Sequence, residues 1–219
     1  MKKQGLILSS ILALLLVVIM VVFVFEQQAK NRTVAGPNET SEFLSRDYVQ
    51  AKGQQRAKVT IVEFLDPACE ACRAFYPFVN DLLKQYKGKV KLETRFVPFH
   101  RGADEVVEVL NATVPQQKFW QSLHVTLQYQ EDWTANHVAS VDKLLPHLEA
   151  VGVDLQQLAE DQKSGLYKER MAQDLSDAKA LGVAKTPTFF VNGRAMTQFG
   201  YQQLEDLVAE EVARQYPGQ

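Results

Sequence analysis

The sequence is short of cysteine, short of histidine and nearly neutral, and each shortage removes a class of protein. Only two cysteines occur in 219 residues, Cys69 and Cys72, so there is no second pair from which to build a long-range disulfide framework. The four histidines, His100, His124, His137 and His147, show no His-x3-5-His spacing near the cysteines. A zinc site on Cys69 and Cys72 therefore lacks evident further ligands, and the histidines read as ordinary surface or core residues. A formal net charge of -2 leaves no electrostatic footprint for nucleic acid. Internal repeats are absent. The Asn-x-Thr triplets at Asn31, Asn38 and Asn111 are patterns short enough to recur by chance and carry no weight.

What is present is a globular composition, 46% hydrophobic and 23% charged, at a length that suits one buried domain plus an appendage. The appendage is apolar. From Gly5 to Phe25 no residue is charged, and Leu, Ile and Val dominate between Lys2-Lys3 and Glu26. As a helix this run reaches roughly 30 Å, the thickness of a bilayer core. A cleaved signal peptide is the competing reading, but its apolar core is usually about 7 to 15 residues, with small residues at the cleavage site. Glu26-Gln27-Gln28-Ala29-Lys30 is a poor match, so an uncleaved single-pass anchor at 5–25 is expected, with residues 1–4 cytoplasmic. Lysine and arginine flank both ends and do not set the orientation. Oxidising disulfide chemistry, if present, places the domain outside the cytosol.

Residues 26–56 are polar, with Gly36-Pro37-Asn38 as a turn and Phe43, Leu44 and Tyr48 as the only anchors; they read as a tether. Val59 to Leu65 is β-branched, aromatic and nearly continuous in hydrophobicity, as in a strand buried on both faces. Glu63 is its one intruder. Asp66-Pro67 breaks the strand, and Cys69 opens a segment in which Ala71, Phe75, Phe78 and Leu82 recur at near-helical spacing, with Pro77 expected to bend it. Lys89 to Phe99 alternates apolar with charged residues, which predicts a strand with one wet face in at least its first half. From Gly102 to about Leu181 only helical stretches appear. Thr188 to Asn192 reads as a strand, and Tyr201 to Ala213 as a closing amphipathic helix.

Cys-x-x-Cys at a strand-to-helix junction fits a cycling dithiol. One helical turn brings the sulfurs together, and the free amides and dipole of the helix start favour a thiolate. Cys69 is the expected nucleophile, and Cys72, one turn in, the expected resolving thiol. Half of a zinc site and an inert pair are the alternatives. Thr186-Pro187-Thr188 is the second signal: X-Pro bonds can be cis, leaving neighbouring backbone free to pair with an extended peptide. A plain strand-starting proline is the alternative there.

Three stretches resemble the DsbA-like branch of the thioredoxin superfamily. They are Glu63-Phe64-Leu65-Asp66-Pro67-Ala68-Cys69-Glu70-Ala71-Cys72, the segment from Phe119-Trp120 to Trp133, and Leu181-Gly182-Val183 through Thr186-Pro187-Thr188-Phe189-Phe190-Val191-Asn192-Gly193. The likeness runs from about Val59 to Val212. It implies an α/β thioredoxin fold, residues 57–101 and 182–219, with an inserted helical domain, residues 102–181. It implies cis-Pro187 against the Cys69 side, Thr186 at the substrate surface, and Glu63 beneath the buried cysteine, assisting proton movement. A carboxyl desolvated in a strand can accept the Cys72 proton; pairing of Glu63 with Lys91 or Arg95 is the structural alternative.

Strong oxidases of this family carry Pro-His between the cysteines, whereas this chain has Glu70-Ala71. A carboxylate beside Cys69 disfavours its thiolate, so a less oxidising couple is expected. The resemblance implies a dithiol oxidase acting on exported, cysteine-containing polypeptides and reset by a membrane redox partner, since the chain has no further cysteines to relay electrons. A reductase or isomerase kept reduced by a membrane donor is the second reading, and a non-catalytic holdase the third. No cofactor or metal is expected, and the short tether favours a monomer.

Overall fold

The computed structural model describes residue 20, residues 42–136 and residues 138–218. The expected anchor at 5–25 lies, Met20 apart, outside the described residues, as does His137. Among the described residues no helix is long and apolar enough to cross a membrane.

The centre of the fold is β2, Val59–Leu65. Six of its seven residues are buried, as a strand covered on both faces requires. It runs parallel to β3, Val90–Phe96, with Val59 opposite Val90 and Glu63 opposite Thr94. A parallel pair needs a crossover, supplied by helix α1, Glu70–Gln85. On its other side β2 pairs antiparallel with β6, Thr188–Val191. The edges are β1, Gln50–Gly53, antiparallel to β3, and β7, Arg194–Ala195, antiparallel to β6. The order is β1-β3-β2-β6-β7.

Alternation along the strands sorts side chains between two faces. Val59, Ile61, Leu92, Phe189 and Val191 pack with Phe75, Val79 and Leu82 of α1 and with Leu204 and Val208 of α8, Tyr201–Gln215. Val62, Phe64, Val97 and Phe190 pack on the opposite face with Ala178, Leu181 and Val183. By the same period, Glu63 and Thr94 belong to the α1 face, and Glu93 and Arg95 to the other.

Between β3 and β6 the chain forms α2, Ala103–Ala112; α3, Phe119–Gln128; α4, Gln130–Trp133; α5, Val141–Ala150; α6, Leu155–Gln162; and α7, Leu166–Ala180. Leu110, Leu123, Leu127, Trp133 and Leu144 are buried among them, and Trp133 Nε1 donates to the Thr126 carbonyl at 2.8 Å. Asp154 caps α6 by accepting from the amides of Gln156 and Gln157. The entry to α2 turns at Gly102, φ 78°, where a Cβ would lie 2.7 Å from the Ala139 carbonyl oxygen. This region also holds a strand pairing that the sequence did not suggest, β4, Thr134–Ala135, with β5, Val138–Ala139.

Two expectations change. The stretch 26–56 is not wholly a tether: β1 joins the sheet, and Leu44 is buried. The wet face of β3 ends after Lys91. Glu93 is buried, and Arg95 is fully buried because acidic partners reach it from a distant helix. Arg95 Nε donates to Asp174 Oδ1 at 2.8 Å and Nη2 to Asp177 Oδ2 at 2.6 Å. Arg46 adds bonds to both Asp177 oxygens, and the Tyr48 hydroxyl donates to Asp174 at 2.6 Å. The charges compensate one another inside the core.

Candidate active site

Cys69 is the N-cap of α1 and Cys72 lies in its first turn. Both thiols are free. Cys69 is 8% exposed and Cys72 0%, so the first is the accessible sulfur. The loop before them is built on Asp66, which is fully buried. Its Oδ1 accepts from the Ala68 amide at 2.8 Å, and its carbonyl accepts from the Cys69 amide at 3.1 Å. Its Oδ2 accepts from the amides of Phe99 and His100 at 2.7 and 2.8 Å and contacts His100 Nδ1 at 2.7 Å. From the helical region, buried Gln130 donates through Nε2 to the carbonyls of Pro67 and Cys69 at 2.7 and 3.0 Å.

The Thr186–Pro187 peptide is cis, and the Cys69 thiol donates to the Thr186 carbonyl at 3.4 Å. The chain thus brings Thr186 and Pro187 to Cys69 from more than a hundred residues away. Beside them lies an aromatic surface: Phe75 stacks on Tyr201 at 4.3 Å and contacts Phe199 at 4.8 Å. Phe199 and Tyr201 are exposed, and the Lys185 ammonium lies over the Phe199 ring.

The two sulfurs differ in acidity. A hydrogen bond from Cys72 is the largest influence on Cys69; burial opposes it, and Thr186 and the amides of Ala71 and Cys72 reinforce it, bringing the pKa down to about 6. Burial pushes Cys72 well above the ordinary thiol value, with the hydrogen bond it gives to Cys69 and the charge of Glu63 acting the same way. Glu63 is 1% exposed and neither carboxyl oxygen has a hydrogen-bond partner. Burial, and next the charge of Cys69, lift its pKa to about 8. The structural alternative for Glu63 does not hold: Lys91 pairs with Glu93 at 2.7 Å, and Arg95 with Asp174 and Asp177.

Sequence reasoning missed three residues here. Asp66 reads in the sequence only as a strand breaker, and Gln130 lies in a helical stretch that carries no site signal. His100 looked ordinary, yet Asp66 holds it beside the cysteine loop. His124 and His147 lie elsewhere, against Tyr76 and Tyr129. Among the described residues no group of acidic, histidine and cysteine side chains is arranged to hold a metal.

Comparison with known proteins agrees with this architecture. The thioredoxin family model matches residues 47–210. The probable disulfide bond formation protein D of Bacillus cereus is 31% identical over 165 residues, covering 70% of this chain and 74% of that protein. The Na(+)/H(+) antiporter NhaA 3 of Salinispora tropica is 34% identical over 152 residues, 68% of this chain; the chain spans only 22% of the antiporter's length. The crystal structure of a thioredoxin-like oxidoreductase from Silicibacter pomeroyi DSS-3 superposes with a TM-score of 0.69 at 25% identity, over 80% of this chain and 97% of that one. The five-stranded sheet with helices on both faces is thus a thioredoxin fold, and the chain belongs to the thioredoxin family.

Proposed function

We propose that this protein is a dithiol oxidase that introduces disulfides into exported polypeptides through Cys69 and Cys72. The observation that carries this reading is the acidity of Cys69, near pH 6, beside a Cys72 held protonated. A stabilised thiolate favours the reduced form of the pair, and a couple whose reduced form is stabilised is an oxidant.

The exchange begins with the Cys69–Cys72 disulfide. A substrate thiolate attacks the Cys69 sulfur; the Cys69–Cys72 bond breaks, and Cys72 leaves as a thiolate. Glu63, protonated below about pH 8, delivers a proton to Cys72. A second substrate thiolate attacks the substrate sulfur of the mixed disulfide and releases the Cys69 thiolate. Two electrons pass from substrate to enzyme. Thr186 and cis-Pro187 offer backbone to an extended substrate, while Phe199 and Tyr201 offer apolar area to its side chains. A membrane redox partner of the DsbB kind then removes the two electrons.

The uncharged run from Gly5 to Phe25 supports an inner-membrane anchor, with the catalytic domain on the extracytoplasmic side. A division into a thioredoxin-like part, 57–101 and 182–219, and a helical insertion, 102–181, follows the order of the elements, with β1 added to the first part.

Equilibration with glutathione tests the direction of electron flow. A potential well above about -270 mV, the value of thioredoxin, supports the oxidase; a value at or below it makes the protein a reductase. Replacing Cys69 with Ser should abolish turnover on a reduced protein substrate; a wild-type protein without such turnover, whose suppression of substrate aggregation survives Cys69→Ser, would be a holdase instead.

A further inference from the structure

Between α1 and α3 lies a groove of about 700 Å³ that the exchange chemistry leaves unused, with Lys52 of β1 among its lining residues. We propose that it is a docking site for a short, extended, acidic segment bearing an aromatic side chain, presented by the polypeptide whose thiols Cys69 and Cys72 oxidise. The inference deepens the redox reading and rests on it for that role, while the groove itself is built from other residues.

The walls are aromatic and their charge is cationic. Tyr76 and Pro77 come from α1, Trp120 and His124 from α3. The Lys52 ammonium lies 5.4 Å from the centre of the Trp120 ring and 5.7 Å from that of Tyr76, and it donates to Asn80 Oδ1 at 2.6 Å. Lys52 is half-buried, and among the described residues no carboxylate lies within ion-pair distance of it. Burial, and next the charge of Lys84, push its pKa below the ordinary lysine value. Lys84 pairs with Asp81 at 2.8 Å, and Asp81 is the one acid among the described lining residues. Two cations against one exposed acid leave an excess of positive charge in a largely apolar setting, where a carboxylate is attracted with less screening than at an open surface. The Trp120 and Tyr76 rings offer area to an apolar side chain beside that charge.

The dimensions suit a chain rather than a compact ion. A second cavity, of about 350 Å³, shares Tyr76, Pro77 and His124 with the first and extends it to Arg73 and Ala74. From Arg73 to Lys84, at about 1.5 Å per residue, α1 gives the combined groove roughly 16 Å. That is the length of about five extended residues. Pro77 has no amide proton, so the Arg73 carbonyl lacks its i+4 donor and is left as an acceptor for a peptide N–H. Arg73 follows Cys72 directly, and the Ala74 carbonyl accepts from the Tyr201 hydroxyl at 3.4 Å. The groove therefore meets the aromatic surface of Phe199 and Tyr201, and a polypeptide that reaches Cys69 can lie in it.

The test uses reduced full-length protein and a thiol-free pentapeptide of alternating aspartate and phenylalanine. The chain has two tryptophans, Trp120 half-buried in the groove and Trp133 fully buried, so quenching of tryptophan fluorescence reads the groove. Saturable quenching that weakens with salt is expected. Lys52→Met keeps the apolar stem and should weaken binding about five- to tenfold, the loss of one charge-assisted contact. Asp81→Asn removes the competing acid and should tighten binding about two- to threefold, a change that a loosened fold does not mimic. No saturable quenching, an unchanged affinity in Lys52→Met, or equal affinity for the lysine-phenylalanine counterpart overturns the proposal. Saturation by phenylacetate at the same concentration makes the groove a small-acid site and overturns it too, as does a dimer in solution that already shields Trp120 from acrylamide. Joined to a cysteine, the acidic segment should raise kcat/KM for disulfide transfer about fivefold over a neutral one, and Lys52→Met should erase the gain. Binding without that gain overturns the role of the groove in exchange. Failure of both cysteine peptides to exchange, while the thiol-free peptide still binds, overturns the redox reading and leaves an acidic-peptide site.

Discussion

Two buried acidic sites lie on opposite faces of one sheet, and they are handled in opposite ways. On the α7 face, Asp174 and Asp177 pair with Arg95, with Arg46 and Tyr48 completing their hydrogen bonds. The hydrogen bonds and charges of Arg46 and Arg95 overcome burial and hold Asp177 below the ordinary carboxylate range. On the α1 face, Glu63 has no hydrogen-bond partner and its pKa rises to about 8. A buried carboxyl with partners is fixed in one charge state and ties elements together. One without partners sits close to neutrality and can exchange a proton. The contrast separates a structural use of charge from a chemical one within a single strand pair, since Arg95 and Thr94, the register partner of Glu63, are chain neighbours.

The sharpest way to break the contrast is to remove its cation. Arg95→Ala leaves two carboxylates uncompensated in the core and should cost about 3 to 5 kcal/mol in urea unfolding. A loss under about 1 kcal/mol would mean the network is as weak as an exposed pair.

Glu63 should behave in the opposite sense. Its folded pKa, about 8, lies above its unfolded value near 4.5, so the folded state holds the proton more tightly. The stability cost of Glu63 is absent below pH 4.5, grows as pH rises, and is complete above pH 8. Glu63→Gln should therefore unfold at higher urea than the wild type at pH 7, by about 3 kcal/mol, with the gain vanishing toward pH 4. A pH-independent difference would contradict the unpaired carboxyl.

The same substitution should slow chemistry. Exchange through Cys72 in Glu63→Gln should lose about tenfold in rate, a size typical of a lost proton-transfer group at the low end. Stopped-flow reaction with a reduced peptide, followed from pH 5 to 9, measures it; an unchanged rate removes Glu63 from the mechanism. The smallest effect belongs to Arg46→Ala. Arg46 is partly exposed while Asp177 keeps Arg95, so about 1 kcal/mol is expected from paired urea curves.

Legibility in the sequence followed range. The strand Val59 to Leu65, the helix opened by Cys69 and the strand after Pro187 were readable because hydrophobic period and local breakers act within a few residues. Strand β1 was not, since Gln50, Ala51, Lys52 and Gly53 carry no strand signal and form an edge only because β3 offers open hydrogen bonds. The role of Arg95 was not legible, since the sequence offered only Glu63 as its partner and the acidic residues it does pair with stand 79 and 82 residues away. His100 carried no spacing signal at all.

By itself the sequence determined the Cys-x-x-Cys pair, its place at a helix start and the strands that frame it, because adjacency in the chain sets those. Only the tertiary structure decided the chemistry around the sulfurs. The contact of Cys69 with Thr186, the isolation of Glu63 and the fastening of His100 to Asp66 all depend on groups brought together and buried across the fold, and low-dielectric surroundings make such distant neighbours decisive.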